Sequence, residues 1–360
     1  MEPLKEMFNH RFYVTFATAF ENADKHFNGK QFIKEVTRDL DALSLNERLR
    51  NTAVVLQQHL PADYSKAVGI LFKAINEVPR GYTALVFPDF VGRYGKDHFE
   101  LSMEALKYFT TFGSSEFAIR EFLKVAPEKV LRVMKTWSED HNPHVRRLAS
   151  EGSRPRLPWS FKLDAVIKNP ALTRDIIEQL KADEEVYVKK SVANHLNDIS
   201  KDNPDYMIRV LKSWGTTNPH TAWIIKHASR SLIKKGHKDS LDIFNFEKRV
   251  KVRIEKFRLA ASRIQLGETL QFAFDIVSEK AAPQKLVIDY AIHYPKSAGS
   301  ISRKVFKLKE ITLLPDQRLH IIKKQVFKDF TTRKHYPGKH SIEIIINGKT
   351  LAEKNFHLSV

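Results

Sequence analysis

A run of arginines in residues 140–159 surrounds one glutamate and ends in a tryptophan, with the sequence DHNPHVRRLASEGSRPRLPW. It predicts a short helix from His144 to Glu151, which Gly152 ends and which the following prolines cannot extend. Glu151 then lies in the last turn, where the helix dipole disfavours negative charge, and Arg147 precedes it in the less favourable order for an ion pair. A carboxylate placed so poorly in its own helix indicates a role outside it, such as stabilising positive charge. The residues around it are Arg146, Arg147, Arg154, Arg156 and Trp159.

A second candidate carboxylate, Glu116, lies in the stretch FGSSEFAIREFL at residues 112–123. Ser114 or Ser115 is the predicted N-cap of a helix, which places Glu116 in the first turn, where the helix dipole stabilises an anion. A fixed carboxylate anion suits electrostatic stabilisation of a cationic transition state. The alternative is an ordinary first-turn acid without a chemical role.

Two-helix repeats are predicted to position these residues. PEKVLRVMKTW at 127–137 aligns with PDYMIRVLKSW at 204–214, residues 170–180 fit the same frame, and residues 61–71 fit it loosely. A second helix follows each of the three later copies, beginning near Val145, Val188 and Thr221, with spacings of 43 and 33 residues. Two helices per unit at this period are typical of an all-α HEAT-like solenoid, a curved superhelix.

The second helices of the repeats have one apolar and one polar face. Their apolar rows, which begin at Val145, Val188 and Thr221, are predicted to be buried. Counted from the first residue of each apolar row, the positions two, six and nine residues further along lie within about 60° of one another on a helix of 3.6 residues per turn. They define a polar row: Arg147, Glu151, Arg154, Lys190, Asn194, Asn197, Trp223, His227 and Arg230. When the second helices stack side by side, these rows are expected to form a continuous basic strip that binds a partner. The alternative is an ordinary solvated helix face.

Composition and charge indicate a folded protein with a polyanionic partner. The 360 residues carry a formal net charge of +18 and have a pI of about 9.7, which favours nucleic acid over a basic surface kept only for solubility. The chain has no cysteine, which excludes disulfides and thiolate chemistry and suits a reducing cytosol. No apolar run approaches membrane-spanning length, and residues 12–20 predict an amphipathic helix instead of a signal peptide.

The pattern changes near residue 245 from helical periodicity to strands, so we predict domains over 1–244 and 245–360. Seven strands are predicted, at 251–260, 269–277, 286–294, 303–308, 318–327, 341–346 and 350–358. A hairpin turn at Asn347-Gly348 joins the last two, and an all-β sandwich of immunoglobulin type follows. This tail holds 23 Lys and Arg against 11 Asp and Glu. Its basic loops at 302–304 and 331–340 are expected to contact a nucleic-acid duplex. The alternative is a basic domain that only stabilises the protein.

Four stretches resemble the bacterial AlkC-type alkylpurine DNA glycosylases, which are HEAT-like-repeat proteins related to the AlkD type. They are SSEFAIREFL (114–123), NPHVRRLASEGSRPRLPW (142–159), HLND (195–198) and NPHTAWIIKHASRSLIKKG (218–236). The β-rich tail is similar to the immunoglobulin-like domain that some members carry. The resemblance implies excision of cationic bases such as 3-methyladenine and 3-methylcytosine from double-stranded DNA, without flipping the base into a pocket. The AlkD type flanks the lesion with a tryptophan and an aspartate. The matching positions here are Phe112 and Glu116, so the aromatic contact on the sugar falls to Phe112 or to Trp159.

Excision of a cationic base makes defined chemical demands. The base leaves as a neutral molecule without a general acid, so the enzyme must stabilise positive charge on the deoxyribose and place a water. Carboxylates do both, and the candidates are Glu116, Glu151 and Asp198. Asp198 has an alternative role as the helix-end partner of Lys201. An indole over the lesion adds cation–π attraction of roughly 1–2 kcal/mol where water is excluded, and Trp159 is the candidate.

The basic residues are expected to contact phosphates, which positions a duplex without reading its sequence. These are Arg146, Arg147, Arg154, Arg156 and Lys190, with Asn194, Trp223, His227 and Arg230 on the same surface. We expect a cytoplasmic monomer that needs no cofactor or metal. His141 and His144 have the spacing of metal ligands, but their surroundings favour capping or phosphate contact. Nor does the chain contain a phosphate-binding glycine loop or a Gly-x-Ser-x-Gly motif.

Two functions from different classes therefore remain open. One is a DNA glycosylase for cationic alkylated bases, and the other is a non-catalytic scaffold that binds DNA or protein. They differ on the carboxylates, because a scaffold has no use for Glu116 and Glu151 among basic rows.

Overall fold

The computed structural model describes residues 3–247, 249–297, 299–330 and 334–359. The chain divides into two compact units, Met1–Ala228 and Ser229–Val360. Helices make up the first unit, whereas the second has two short helices followed by strands. The predicted order, helical first and β-rich after it, is confirmed. Among the described residues, no helix has both the length and the apolar character that crossing a membrane requires.

Short α-helices fill the first unit. In chain order they are α1 (His10–Ala23), α2 (Gly29–Val36), α3 (Leu45–His59), α4 (Tyr64–Ala74), α5 (Val86–Tyr94), α6 (Phe99–Phe109), α7 (Ala118–Val125), α8 (Pro127–Trp137), α9 (Pro143–Gly152), α10 (Asp164–Lys168), α11 (Arg174–Gln179), α12 (Val186–Ile199), α13 (Pro204–Trp214) and α14 (Pro219–Ala228). Single 3-10 turns occur at Leu4–Met7, Leu40–Ala42, Ile75–Glu77, Tyr82–Leu85 and Pro170–Thr173. The predicted amphipathic helix is α1, which buries Phe16 and Phe20.

Two of the predicted repeat helices match their sequences from end to end. Helices α8 and α13 occupy 127–137 and 204–214, and each begins with proline, whose missing N–H costs nothing at that position. The copy at 170–180 differs, because a 3-10 turn precedes α11 there. The Thr173 hydroxyl lies 3.2 Å from both the Pro170 carbonyl and Nε2 of His195.

The second helices of the repeats are α9, α12 and α14, and α12 contacts both of the others. The apolar rows predicted to be buried are buried: Val145, Leu148, Ala149, Val188, Val192, Leu196, Thr221, Ile224, Ile225 and Ala228. The side chain of Asn142 caps α9 by accepting a hydrogen bond of 2.9 Å from the backbone N–H of His144. Helix α9 therefore extends one residue beyond each end of the predicted helix, from Pro143 to Gly152.

The second unit begins with α15 (Arg230–Lys234) and α16 (Lys238–Ile243). The strands within its described residues are β1 (Val252–Leu259), β2 (Arg263–Gln265), β3 (Thr269–Ser278), β4 (Gln284–Pro295), β5 (Ile301–Leu313), β6 (Arg318–Val326), β7 (Gly338–Ile346) and β8 (Lys349–Ser359). A three-stranded sheet has the order β1-β3-β6, and a five-stranded sheet has the order β2-β8-β7-β4-β5. One hydrophobic cluster draws side chains from both sheets, including Phe272, Phe274, Ile288 and Ile344.

All seven predicted strands are present, and the short β2, which runs parallel to β8, is an addition. Asn347 and Gly348 have φ angles of 46° and 80°, as the predicted two-residue hairpin between β7 and β8 requires. The prediction of a loop at 302–304 is wrong, because these residues lie inside β5. Of the other predicted basic loop, at 331–340, residues 331–333 lie outside the described residues.

The boundary between the units, after Ala228, lies earlier than the predicted one at 244/245. The reason is that α15 and α16 pack on the sheet, where Ile233 and Leu241 form a buried cluster with Phe246 and with Val287 of β4. Periodicity assigned residues 230–243 to the helical domain, whereas their tertiary contacts place them with the strands.

Candidate active site

Glu116 and Glu151 line the same cavity in the first unit. Its volume is about 450 Å³, and its lining residues are Gly81, Tyr82, Leu85, Gly113, Ser114, Glu116, Phe117, Arg147, Glu151, Arg154, Leu157, Pro158, Trp159 and Tyr187. The close approach of α7 and α9 brings the two carboxylates together. It depends on Gly152, because a Cβ there would lie 2.5 Å from Cγ2 of Ile119.

Glu116 lies in the turn before α7 and not in its first turn, so the predicted N-cap is wrong. Helix α7 begins at Ala118 without a side-chain cap, because the Ser115 hydroxyl donates to the Leu106 carbonyl at 2.7 Å instead. The Ser114 hydroxyl donates to Oε2 of Glu116 at 3.1 Å. A serine and an arginine therefore fix this carboxylate, in place of the helix dipole.

Arg147 joins the two carboxylates. Its Nη1 pairs with Oε2 of Glu116 and donates to the Ser114 hydroxyl at 3.0 Å, while its Nη2 lies 3.5 Å from Oε1 of Glu151. The guanidinium carbon also lies 4.9 Å from the centre of the Tyr187 ring in α12, a cation–π contact. Burial raises the pKa of Tyr187, which keeps the phenol neutral beside the site.

Glu151 is only 6% exposed and holds a second arginine. Nη1 of Arg154 donates to Oε1 of Glu151 at 2.6 Å, and its Nε donates to Oδ2 of Asp198 at 2.8 Å. Burial tends to lower the pKa of Arg154, but the Glu151 and Asp198 carboxylates outweigh burial and raise that pKa above its ordinary value. Two guanidinium groups thus offset the unfavourable position of Glu151 at the C-terminus of α9.

Asp198 lies behind Arg154 and is not among the residues that line the cavity. Its Oδ2 also accepts from Nη2 of Arg154 at 2.7 Å, and its Oδ1 accepts from Nζ of Lys201 at 2.7 Å. The alternative role predicted for Asp198, as the partner of Lys201, is therefore present together with a contact to Arg154. Both of its oxygens thus accept hydrogen bonds from cations, and its side chain is buried behind the cavity wall.

A fully buried arginine that the sequence analysis did not single out, Arg120, anchors the loop after α9. Its Nη1 donates to the carbonyls of Gly152 at 3.0 Å and Arg154 at 2.6 Å, and its Nη2 donates to the Phe161 carbonyl. Burial, together with the nearby Arg154, lowers the pKa of Arg120 to about 10, so it stays a cation at neutral pH. The signal in the sequence was a charged residue within the apolar face of α7.

The loop that Arg120 anchors presents Trp159, which is 74% exposed and lines the cavity with the carboxylates. Its φ of 64° is a left-handed conformation that costs a non-glycine residue on the order of 1–3 kcal/mol. Phe112 is buried instead, with the guanidinium carbon of Arg80 at 4.6 Å from its ring centre. Of the two aromatic residues predicted to contact the lesion, the fold therefore brings only Trp159 to the carboxylates.

Comparison with known proteins gives two family matches. Residues 100–232 match the DNA alkylation repair enzyme family, and residues 253–360 match the C-terminal Ig-like domain of uncharacterised protein YhaZ. The uncharacterized protein YhaZ of Bacillus subtilis (strain 168) is 41% identical over 359 residues, which is 99% of this chain and 100% of that protein. The Pseudomonas fluorescens alkylpurine DNA glycosylase AlkC, solved bound to DNA containing an abasic site analogue, is 44% identical, with a TM-score of 0.95 over 100% of both chains. The chain belongs to the AlkC family of DNA alkylation repair proteins.

The arginines predicted to contact phosphates have different surroundings in this AlkC-family chain. Arg146 donates from Nε to Asp183 at 2.6 Å, and Arg156 donates from Nε and Nη2 to Asp202, both at 2.6 Å. Lys190 is exposed on α12. Arg146 and Arg156 therefore each have an acidic partner.

The predicted polar row is interrupted, because parts of it are buried. Glu151, Arg154 and Asn197 are buried, and Arg154 pairs with Glu151 and with Asp198. Trp223 stacks on His227 with ring centroids 3.6 Å apart, and Asn194 is half-buried. Arg230 is exposed but belongs to the second unit. The prediction of one continuous basic strip is therefore wrong.

His195, in the HLND stretch that resembles the AlkC type, ties α12 to α9. Its Nδ1 lies 3.0 Å from the Ser150 carbonyl, which only accepts, so Nδ1 is the protonated nitrogen. Burial lowers the pKa of His195 to about 3, so the ring is neutral. This histidine fixes the helices that hold Glu151 and Asp198 and does not itself reach the cavity.

Proposed function

We propose that this protein is a DNA glycosylase of base excision repair for cationic alkylated bases, of the 3-methyladenine and 3-methylcytosine class. The observation that carries the proposal is the convergence of Glu116 and Glu151 on one cavity, with Arg147 between them. Membership of the AlkC family supports the same activity. The reaction is hydrolysis of the N-glycosidic bond without flipping of the base into a pocket.

The two carboxylates divide the work in this reaction. Among the described residues, the hydrogen bonds and ion pairs of Glu151 fall on Oε1, and those of Glu116 fall on Oε2. Each carboxylate thus keeps one oxygen that makes no hydrogen bond within the described residues. One such oxygen stabilises the oxocarbenium-like deoxyribose and the other orients the attacking water. Asp198 contributes through Arg154, as a positioning residue.

Trp159 supplies the aromatic contact to the lesion. The indole is exposed at the mouth of the cavity, where it can lie over the cationic base or its sugar, with cation–π attraction of roughly 1–2 kcal/mol once water is excluded. Phe112 is buried beneath Arg80 and does not line this cavity. The aromatic role that the AlkD type gives to a tryptophan at the position of Phe112 therefore passes to Trp159.

The proposal extends to the partner and the architecture. Double-stranded DNA contacts the second helices of a HEAT-like α-solenoid through Arg146, Lys190, Asn194, Trp223 and His227, together with Arg156 in the loop after α9. The two sheets form an immunoglobulin-type sandwich, and its basic surface and Arg230, both in the second unit, also contact DNA. The protein acts as a cytoplasmic monomer without a cofactor or a metal.

The experiment is single-turnover incubation with a duplex that contains one 3-methyladenine, followed by detection of the free base. We expect release from this duplex and none from the same duplex with unmodified adenine. Binding to the duplex is expected to weaken steeply with salt, since phosphate contacts release counterions. A protein that releases no base and whose binding is insensitive to salt would be a protein-binding scaffold instead.

A further inference from the structure

We propose that a second cavity beside the carboxylates binds an unstacked deoxynucleotide that flanks the lesion on the same strand. The inference rests on the proposed glycosylase function. The second cavity has a volume of about 810 Å³ and shares Tyr82, Phe117 and Trp159 with the first. Sites for small ligands have volumes of about 300–1,000 Å³, so it is large enough for one nucleotide.

The walls of the second cavity have the composition that single-stranded nucleic acid requires. Tyr94 and Phe161 add aromatic surface to the three shared rings, while Arg50, Arg93 and Lys96 add positive charge. Sites for single strands combine aromatic rings, on which any base can stack, with cations that follow the phosphates. Stacking of this kind tolerates every base, so the second cavity would not restrict the sequence around a lesion.

The cations of the second cavity have acidic partners that a phosphate can replace. Arg93 donates to Asp89 at 2.7 Å, with about a third of its side chain exposed, and Lys96 lies 3.4 Å from Glu121, with both side chains more exposed still. Water screens such pairs, so neither is held tightly. Arg50 is itself exposed. Once a phosphate replaces their acidic partners, Arg93 and Lys96 can bind it together, and we call this pair the phosphate cradle.

Trp159 decides which nucleotide reaches the second cavity. Its indole lines both cavities and stands on a loop that Arg120 fixes from inside. An indole that enters the duplex beside the lesion has the lesion nucleotide on one side and its neighbour on the other. Because the neighbour is covalently joined to the lesion nucleotide, it is the one delivered to the adjoining space. A base of the opposite strand would first have to cross the duplex.

Photo-crosslinking identifies the occupant. Duplexes with an abasic analogue carry one 5-iodouracil, placed 5′ of the analogue, 3′ of it, or opposite it, and crosslinked peptides are identified by mass spectrometry. We expect crosslinks to Tyr94 or Phe161 from one of the flanking positions of the lesion strand. Crosslinks to these two residues from the opposite strand alone, or from no position, would overturn the inference.

Affinity for the same abasic duplex gives a second test. The double variant Arg93→Gln/Lys96→Gln is expected to bind roughly tenfold more weakly and to lower the salt dependence by about two counterions. The matched control is Lys129→Gln, which also loses a glutamate partner, Glu100 at 3.2 Å, but lines neither cavity. A double variant that binds as the control does would contradict the phosphate cradle.

Excision of 3-methyladenine by the wild-type protein separates the two proposals. Excision without the crosslink from a flanking position would contradict the nucleotide site and support the glycosylase function. That crosslink without excision would support the nucleotide site and contradict the glycosylase function.

Discussion

Arg154 donates to Glu151 across 2.6 Å from inside the protein, so the carboxylate at the cavity wall rests on a buried guanidinium. Arg147 approaches the same oxygen of Glu151 and also pairs with Glu116. The two arginines keep two carboxylates side by side, where their mutual repulsion would otherwise separate them. A fixed pair of anions is preorganised for a cation, and preorganisation of this kind contributes strongly to catalysis.

Glu116→Gln and Glu151→Gln test this pair. Each substitution keeps the volume of the side chain and removes the charge that faces the deoxyribose, so we expect excision of 3-methyladenine to slow by roughly 10²–10³-fold. Affinity for a duplex with an abasic analogue should change little. Single-turnover rates and binding isotherms measure the two effects, with the exposed Glu128→Gln as the control. Wild-type rates in both variants would show that the assigned roles are wrong.

Asp198→Asn is expected to act through Arg154 and to lower stability. Asp198 pairs with an arginine that is only 7% exposed. In the Asn variant Arg154 stays buried and keeps only Glu151 as its anionic partner, so we expect a loss of about 1.5–3 kcal/mol. Asp202→Asn breaks the more exposed pair with Arg156 and should cost at most about 1 kcal/mol. Urea unfolding of the two variants gives the comparison, and equal losses would contradict the positioning role of Asp198.

Trp159→Gly and Trp159→Ala separate strain from function. The φ of 64° at this position is unfavourable for alanine and favourable for glycine, so the Gly variant should be more stable than the Ala variant by about 1 kcal/mol. Both variants lose the indole, so both should excise cationic bases roughly tenfold more slowly. Thermal unfolding and single-turnover excision measure these effects. An Ala variant as stable as the Gly variant would show that the loop relaxes, and wild-type excision would exclude the cation–π contact.

Local patterns predicted the elements of the fold, whereas long-range contacts decided the details of the candidate site. The start of α8 could be predicted, and that of α9 to within one residue, because proline acts within one helical turn. The N-cap before α7 could not, because the Ser115 hydroxyl binds a carbonyl nine residues away in sequence. Arg120 was missed for the same reason, since all three of its carbonyl partners lie more than thirty residues away.

Charge alone also gave an incomplete account of the binding surface. The row that includes Glu151 and Arg154 was predicted to be a basic strip, but opposite charges on neighbouring helices pair and bury one another. The period of a helix gives the face on which a residue lies, and it does not give the partner across the interface. Pairing of the arginines with Asp183 and Asp202 reduces the positive charge in the same way.

A buried carboxylate on β4, Asp289, is expected to make the second unit sensitive to pH. The residue is 1% exposed, and neither of its oxygens has a hydrogen-bond partner within the part of the chain that the structure describes. Burial raises its pKa to about 6, against the opposing effect of Lys234 on α15 and Lys307 on β5, with Glu310 adding to the rise. The protonated, neutral form is therefore the one that suits the folded state.

Asp289→Asn should remove this dependence on pH. In an unfolded chain the carboxyl has a pKa of about 3.9, so the folded state binds more protons between about pH 4 and pH 6. The free energy of unfolding of the second unit must then fall as pH rises through that window, and it stays low above it. The Asn variant is neutral at every pH, so relative to wild type it should gain about 3 kcal/mol at pH 7 and only about 0.5 kcal/mol at pH 4. Hydrogen exchange of peptides from β4, corrected for the intrinsic rate and referred to peptides from α12, measures the difference. A gain that is equal at both pH values would mean that the carboxyl does not titrate between them in the folded protein.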